Sequence, residues 1–293
     1  MKTNKMTINR AGYTLIALLM GVFTSCSQNG FEDDNTVDPV KLTVSVEEEG
    51  VRIRSTDATV GRYVIEVYTD NTYSTAAGVF TDGKNKAIST TGEFALLLDR
   101  TKDYYCLIWA DKAGSTCYTV SDLKAVTLVT GQKPVEAWHG TLKISKGTAA
   151  TLSTELKRAV SKLSLLETGV VLKNSFLSVA FKRPTTFNVA SAVTSNMVVL
   201  TDIIDLSAGV AGTTTVPQKL NTNDIFVLAD VNSANVADLT FSMVYDNITE
   251  PSFDVTNVPF QANYSTTIKG HYTTLHSSSF TLVHSEVWNY FDE

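Results

Sequence analysis

The chain has 293 residues, with 24 basic and 30 acidic side chains and a net charge of −6. That balance lacks the basic footprint that nucleic acid or anionic lipid headgroups require, so neither is expected as a partner. The length suits one large domain or two ordinary ones.

Lys2, Lys5 and Arg10 precede a 13-residue apolar run, Ala11–Phe23. A helix crossing the bilayer core needs ~20 residues, so this run reads as the apolar region of an export signal. Phe23-Thr24-Ser25-Cys26 resembles a bacterial lipobox, with Phe23 where Leu is usual. Residues 1–25 are therefore expected to be a lipoprotein signal peptide, and Cys26 the lipid attachment point, palmitate being one of its acyl groups. An ordinary cleaved signal is the alternative. Residues 26–38 are polar and acidic and read as a flexible tether. Their Glu32-Asp33-Asp34 cluster is either a signal for the outer leaflet of the outer membrane or solvated linker charge. Losing the three basic residues of 1–25 takes the net charge from −6 to −9.

Beyond Cys26 the chain is rich in Thr, Val and Ser, a composition of β-sheet. Val40, Leu42, Val44 and Val46 alternate with Lys41, Thr43, Ser45 and Glu47, which predicts a half-buried strand. Further strands are expected at Arg62–Tyr68, within Gly78–Thr91, and at Glu93–Leu98 and Asp103–Ala110. Ser121–Lys124 reads as one helical turn, followed by strands at Ala125–Thr130, Val135–Ile144 and Ala149–Leu156. The pattern restarts at Arg158–Leu165 and continues through Phe176–Phe181, Asn196–Leu200, Asp224–Ala229, Ala237–Tyr245, Tyr264–Ile268, Phe280–Val283 and Val287–Tyr290. Short strands at this spacing indicate an all-β sandwich or barrel. Pro184, Pro217, Pro251 and Pro259 are expected in loops or edges.

Motifs of chemistry are scarce. His139, His271, His276 and His284 form no HExxH and have no ligand-spaced partners, so no metal is expected. No GxSxG, GxGxxG or GxxxxGK[ST] occurs, so neither an enzyme nor a cofactor is expected. Cys106 and Cys117 flank a turn-like segment, Asp111–Ser115, and read either as a disulfide across a hairpin or as two buried thiols. Trp109, Trp138 and Trp288 offer a sugar-stacking platform or, alternatively, core aromatics.

The lipobox, the alternating first strand, Tyr104–Asp111, Ser121–Val126, Glu136–Gly140, Leu156–Leu163 and Tyr264–Gly270 occur in an order that resembles the fimbrillin-like lipoproteins, the type V pilins of Bacteroidales-type bacteria. The resemblance implies two tandem transthyretin-like Greek-key β-sandwich domains, here 39–159 and 160–293. It implies a structural subunit (stalk, tip or anchor) of a cell-surface fimbria that reaches the outer membrane through its N-terminal lipid. In polymerising members a protease removes the anchor with the first strand, and a strand from a neighbouring pilin fills the groove. Carried over, Val40, Leu42, Val44 and Val46 form the displaced strand, Arg52, Arg54 and Arg62 are candidate cleavage points, and Phe280–Phe291 is a candidate donor. The alternative is a monomeric surface lipoprotein that binds a glycan or a host or bacterial protein.

Overall fold

The computed structural model describes residues 37–46, 60–272 and 280–286. Its first half contributes β1 (Val37–Val46), β2 (Val60–Tyr68), β3 (Lys86–Ser89), β4 (Glu93–Asp99), β5 (Tyr104–Lys112), β6 (Tyr118–Thr119), β7 (Val126–Leu128), β8 (Ala137–Ile144) and β9 (Thr151–Arg158). Seven of these form one sheet in the order β3-β2-β5-β8-β9-β1-β4. β9 turns the corner. Its end pairs with β8 through Trp138↔Arg158 and His139↔Lys157, and its earlier residues run parallel to β1. Gly140 gives room for the bend, because a Cβ there would lie 2.7 Å from Leu156 Cδ2. The sheet thus closes on itself as a sandwich. Val40, Leu42, Val44, Phe94, Leu96, Leu98 and Leu156 share one core with Ile65, Val67, Cys106, Ile108 and Trp138.

β5 is buried on both faces, which explains its near-continuous apolar run. Cys106 and Ile108 face that first core, whereas Leu107 and Trp109 face a second. The second core also takes Val64, Tyr118, Leu123, Val126, Phe187 and Leu228. Buried charges tie the strands here. Asp111 accepts from Arg62 Nη2 at 2.5 Å and from Trp109 Nε1 at 3.0 Å. Glu66 accepts from Tyr68 Oη, Lys86 Nζ and the backbone N–H of Leu123. The expected helical turn is a 3-10 turn over Leu123–Ala125, capped by Asp122.

The second half contributes β10 (Val160–Glu167), β11 (Val170–Val171), β12 (Ser175–Asn188), β13 (Val193–Leu206), β14 (Val210–Ala211), β15 (Gln218–Lys219), β16 (Ile225–Leu228), β17 (Asn235–Tyr245), β18 (Ile248–Thr249), β19 (Phe253–Phe260), β20 (Ser265–Gly270) and β21 (Thr281–Ser285). β10 lies between parallel β20 and antiparallel β15 and β16, and β21 borders β20. Between β15 and β16 the side chain of Asn221 takes the place of a strand, accepting from Leu165 N and donating to Leu163 O. The facing sheet is built on β12, with β13 along one edge and β17, then β7, along the other. Leu163, Leu165, Ile225 and Ile268 pack against Leu177, Val179, Phe181, Phe241 and Phe260 in the core between.

The chain is all-β, as its composition implies, and several details depart from expectation. β7, with β6 beside it, joins β12 rather than the sheet of β5 and β8. β12 runs straight through Pro184. Pro184 falls between the end of β17 pairing at Ala180 and the start of β7 pairing at Thr186, where no strand on that edge needs its missing donor. β19, with Pro259 inside it, was not expected as a strand. The disulfide alternative is corrected. β5 and β6 form no hairpin, Cys106 and Cys117 pack in cores on opposite faces of β5, and both are free thiols.

His139 sits at the second core with its ring 4.9 Å from that of Phe187, and neither ring nitrogen has a hydrogen-bond partner. Burial, with Lys157 nearby, pushes its pKa from 6.5 down to about 4. The folded chain therefore refuses a proton that the unfolded chain accepts. The stability contributed by the neutral ring is complete above pH 6.5 and is lost as pH falls toward 4, by about 3 kcal/mol. Urea unfolding of the protein and of His139→Leu at pH 7 and pH 4 tests this. The variant should lose less stability than the parent by about that amount, and an equal loss would contradict a neutral buried ring.

Candidate functional site: the first strand and its groove

β1 arrives first in the chain yet occupies an interior position in the sheet. Seven residue pairs join it to antiparallel β4 and six to parallel β9. Val40, Leu42 and Val44 are buried, whereas Lys41 and Ser45 are exposed. Val46 packs at the margin of the same core. Three side chains of this size contribute about 5–8 kcal/mol by burial. At one end Val44 N donates to Gly92 O at 2.8 Å, and at the other Lys41 N donates to Ala150 O at 2.8 Å. Gly92, with φ +76°, has to be glycine, because a Cβ would lie 2.3 Å from Val44 O.

What holds β1 is generic. Among its described side chains, Lys41 makes an exposed ion pair with Glu93 at 2.7 Å and Ser45 Oγ makes a weak bond to Thr154 O. The rest is backbone pairing and alternate apolar side chains. β10 holds the corresponding place in the second half and is fixed quite differently. Its Glu167 is fully buried and accepts from His271 Nδ1 at 2.6 Å, Gly169 N at 2.7 Å and Tyr272 N at 3.1 Å. Ser161 Oγ donates to Tyr264 O at 2.9 Å, and Asn221 binds the β10 backbone. A foreign strand could replace β1 by supplying an extended backbone and apolar residues at every second position. It could not replace β10 without also reproducing those buried polar partners.

Withdrawal of β1 would leave a groove walled by the unpaired edges of β4 and β9 and floored by Ile65, Val67, Cys106 and Ile108. The alternation of β1 was legible in the sequence, but the walls of its groove were not, because nothing in Phe94–Leu98 or Leu152–Leu156 names its pairing partner.

The other candidates do not converge on this groove as chemistry. Arg62 lies within β2, paired with Asp111 in both backbone register and ion pair, so it suits cleavage poorly. Arg52, Arg54 and Cys26 lie outside the described residues, as do His276 and Trp288. Trp109 and Trp138 are buried core residues, not a sugar-stacking face. Burial pushes the Cys106 thiol up to about 12, so it is inert as a nucleophile. Among the described residues, no three His, Cys, Asp or Glu side chains come together to hold a metal ion. In the candidate donor segment, β21 is antiparallel to β20, and Phe280 joins an aromatic cluster with Phe241, Phe253 and Tyr272. The remainder of that segment, from Val287, lies outside the described residues.

The contrast within β1 is measurable. Leu42→Ala should destabilise the protein by about 2–5 kcal/mol. Lys41→Ala, which removes the exposed ion pair with Glu93, should cost less than about 1 kcal/mol in the same urea titration. Equal costs would contradict the burial assigned to the strand.

A search of the curated proteins finds no match. Solved structures share the architecture at low identity. A proposed cell adhesion protein from Bacteroides ovatus is 12% identical with a TM-score of 0.51, covering 85% of this chain and 97% of the other. A proposed adhesin from Bacteroides ovatus is 10% identical with a TM-score of 0.50, covering 83% and 95%. A proposed polysaccharide-binding protein from Bacteroides thetaiotaomicron is 11% identical with a TM-score of 0.51, covering 80% and 91%. At these identities the likeness is one of fold. Residues 32–281 match the family of unknown function DUF6562, so the chain belongs to that family.

Proposed function

We propose that this protein is a structural subunit of a cell-surface fimbria, delivered to the outer membrane as a lipoprotein and assembled by β-strand addition. The observation that carries this reading is the character of β1: an interior strand held almost wholly by backbone pairing and by Val40, Leu42 and Val44. Such a strand can be exchanged for another of similar pattern, because main-chain bonds supply affinity and alternate pockets supply register. The lipobox, the acidic tether and the ordered fimbrillin-like motifs support it from the sequence. The names of the adhesion proteins that share the fold are consistent with a surface role.

In this reading Cys26, the tether and β1 are one removable unit, and proteolysis at Arg52 or Arg54 releases it. The donor from the next subunit comes from its C-terminal Phe280–Phe291 segment. Because β21 already pairs with β20, that donor either leaves β20 or uses residues beyond Glu286. A second reading, a monomeric lipoprotein that binds a glycan, is favoured by the polysaccharide-binding name given to one structural neighbour.

Limited trypsin treatment of the purified protein distinguishes the two. Assembly predicts products beginning after Arg52 or Arg54 and a ladder of oligomers on denaturing gels run without boiling. Clean loss of β1 with a persistent monomer, or assembled fibres that retain the Cys26 lipid, would contradict it.

A further inference from the structure

β12 is bordered along its whole length by β13, a strand of 14 residues. Among the described residues β13 pairs with nothing on its other edge. Near its start that edge is closed, because Thr194 N donates to Asp230 Oδ1 at 2.6 Å and Val231 N to Ala192 O at 3.1 Å. Asn196, at φ 59°, then forms a local kink pinned by Thr185 and Thr186. Beyond it Met197–Ile203 runs extended and open.

From Met197 to Thr201 this edge lacks the usual guards against pairing, and Asp202, the inward charge that follows, is held by Arg183 and Lys133. Val193–Thr201 contains no charge and no proline, and natural edges are normally blunted by Lys, Pro or inward charges. Met197, Val198 and Val199 are consecutive and all exposed, at 52%, 47% and 58%, and Ile203 is 71% exposed. A run of exposed apolar residues on an edge strand marks a place built to be paired.

We propose that the β13 edge pairs antiparallel with the same edge of a second copy of this chain, about a two-fold axis at Leu200. Charge selects the copy and its direction. The protein is net acidic, so two copies meet with least repulsion where the surface is uncharged. Parallel pairing in register would set Asp202 against Asp202 and Asp205 against Asp205. Antiparallel pairing about Leu200 sets Asp202 opposite Val198 and Asp205 opposite Ser195. Asp202 is already neutralised by Arg183 and Lys133.

Hydrophobicity selects the register. Val199 and Ile203 stand opposite Lys182 and Ser178 of β12, on the outer face, while Leu200 and Ile204 stand opposite the core residues Phe181 and Leu177. Centring on Leu200 brings Met197 of each copy opposite Ile203 of the other, both outward, and keeps every core-facing residue opposite another. A slip of one residue in the pairing would set outward residues against inward ones. The contact is isologous and closes as a dimer. It leaves β1, β4 and β9 untouched, so it joins subunits side by side whether or not strand addition joins them end to end.

The test uses untreated protein in a Cys26→Ser background, where Cys106 and Cys117 are buried. Sedimentation velocity should show a concentration-dependent dimer. The double variant Met197→Lys, Ile203→Lys should weaken it at least tenfold with no change in melting temperature, whereas Val170→Lys, on β11, should not. Under mild oxidation a mixture of Met197→Cys and Ile203→Cys should cross-link. Neither alone should, because like positions lie ~20 Å apart in this register. A monomer at every soluble concentration, a dimer indifferent to the lysines, or cross-linking by either single variant as efficient as by the mixture would each overturn the proposal. None of these results bears on strand addition, since β1 stays in place throughout.

Discussion

Val37–Thr43 pairs antiparallel with β4 and Lys41–Val46 pairs parallel with β9, so from Lys41 to Thr43 the backbone is flanked by a strand on either side. The first sandwich depends on that double pairing. β4 reaches the rest of its sheet through β1, and β9 presents Leu156 to the core while turning the corner to β8. Remove β1 and β4 loses its ladder while β9 keeps only its two pairs with β8, at Trp138 and His139, which costs far more than one strand's side chains. In the proposed assembly an incoming strand fills that vacancy, so stability and assembly would draw on the same interactions.

The second half holds an interior strand in the corresponding place by a different set of interactions. β10 is parallel to β20 as β1 is to β9, but it carries Ser161, Lys162, Ser164 and Glu167 at buried positions. Buried polar groups of this kind must be matched one by one, so they fix a strand to its own partners. Among the side chains of β1 that are described, none is a buried polar group. Cores on both faces of β5, with Asp111 and Glu66 bonded inside, anchor the first sandwich to Val126, Phe187 and Leu228 and leave β1 at the side remote from that anchor.

The sequence announced strands wherever alternation was strict or an apolar run was bounded by turn residues, as in Val40–Val46 and Tyr104–Ala110. It misled where tertiary context overrode local signals. Pro184 argued against a strand that the gap between β17 and β7 permits. Pro259 lies in β19, which pairs only with β17 among the described residues, so it sits on an edge as expected. Cys106 and Cys117 looked poised across a hairpin, but β5 continues to Lys112 while Tyr118 turns away to pair with β7. The walls of the groove were invisible because pairing partners are set by topology, which no local pattern encodes. The contrast between β1 and β10 was half legible: β1 alternates cleanly, whereas the mixed sequence Val160–Glu167 gave no sign that Lys162 and Glu167 would be buried.

Hydrogen–deuterium exchange of the β4 and β9 amides, followed before proteolysis, just after loss of β1 and in the assembled state, tests the central claim most directly. Exchange should be slow at first, fast in subunits that lack β1, and slow again in assemblies from which the β1 peptide is absent. Assemblies in which β4 and β9 remain unprotected, or in which β1 is still present, would contradict it.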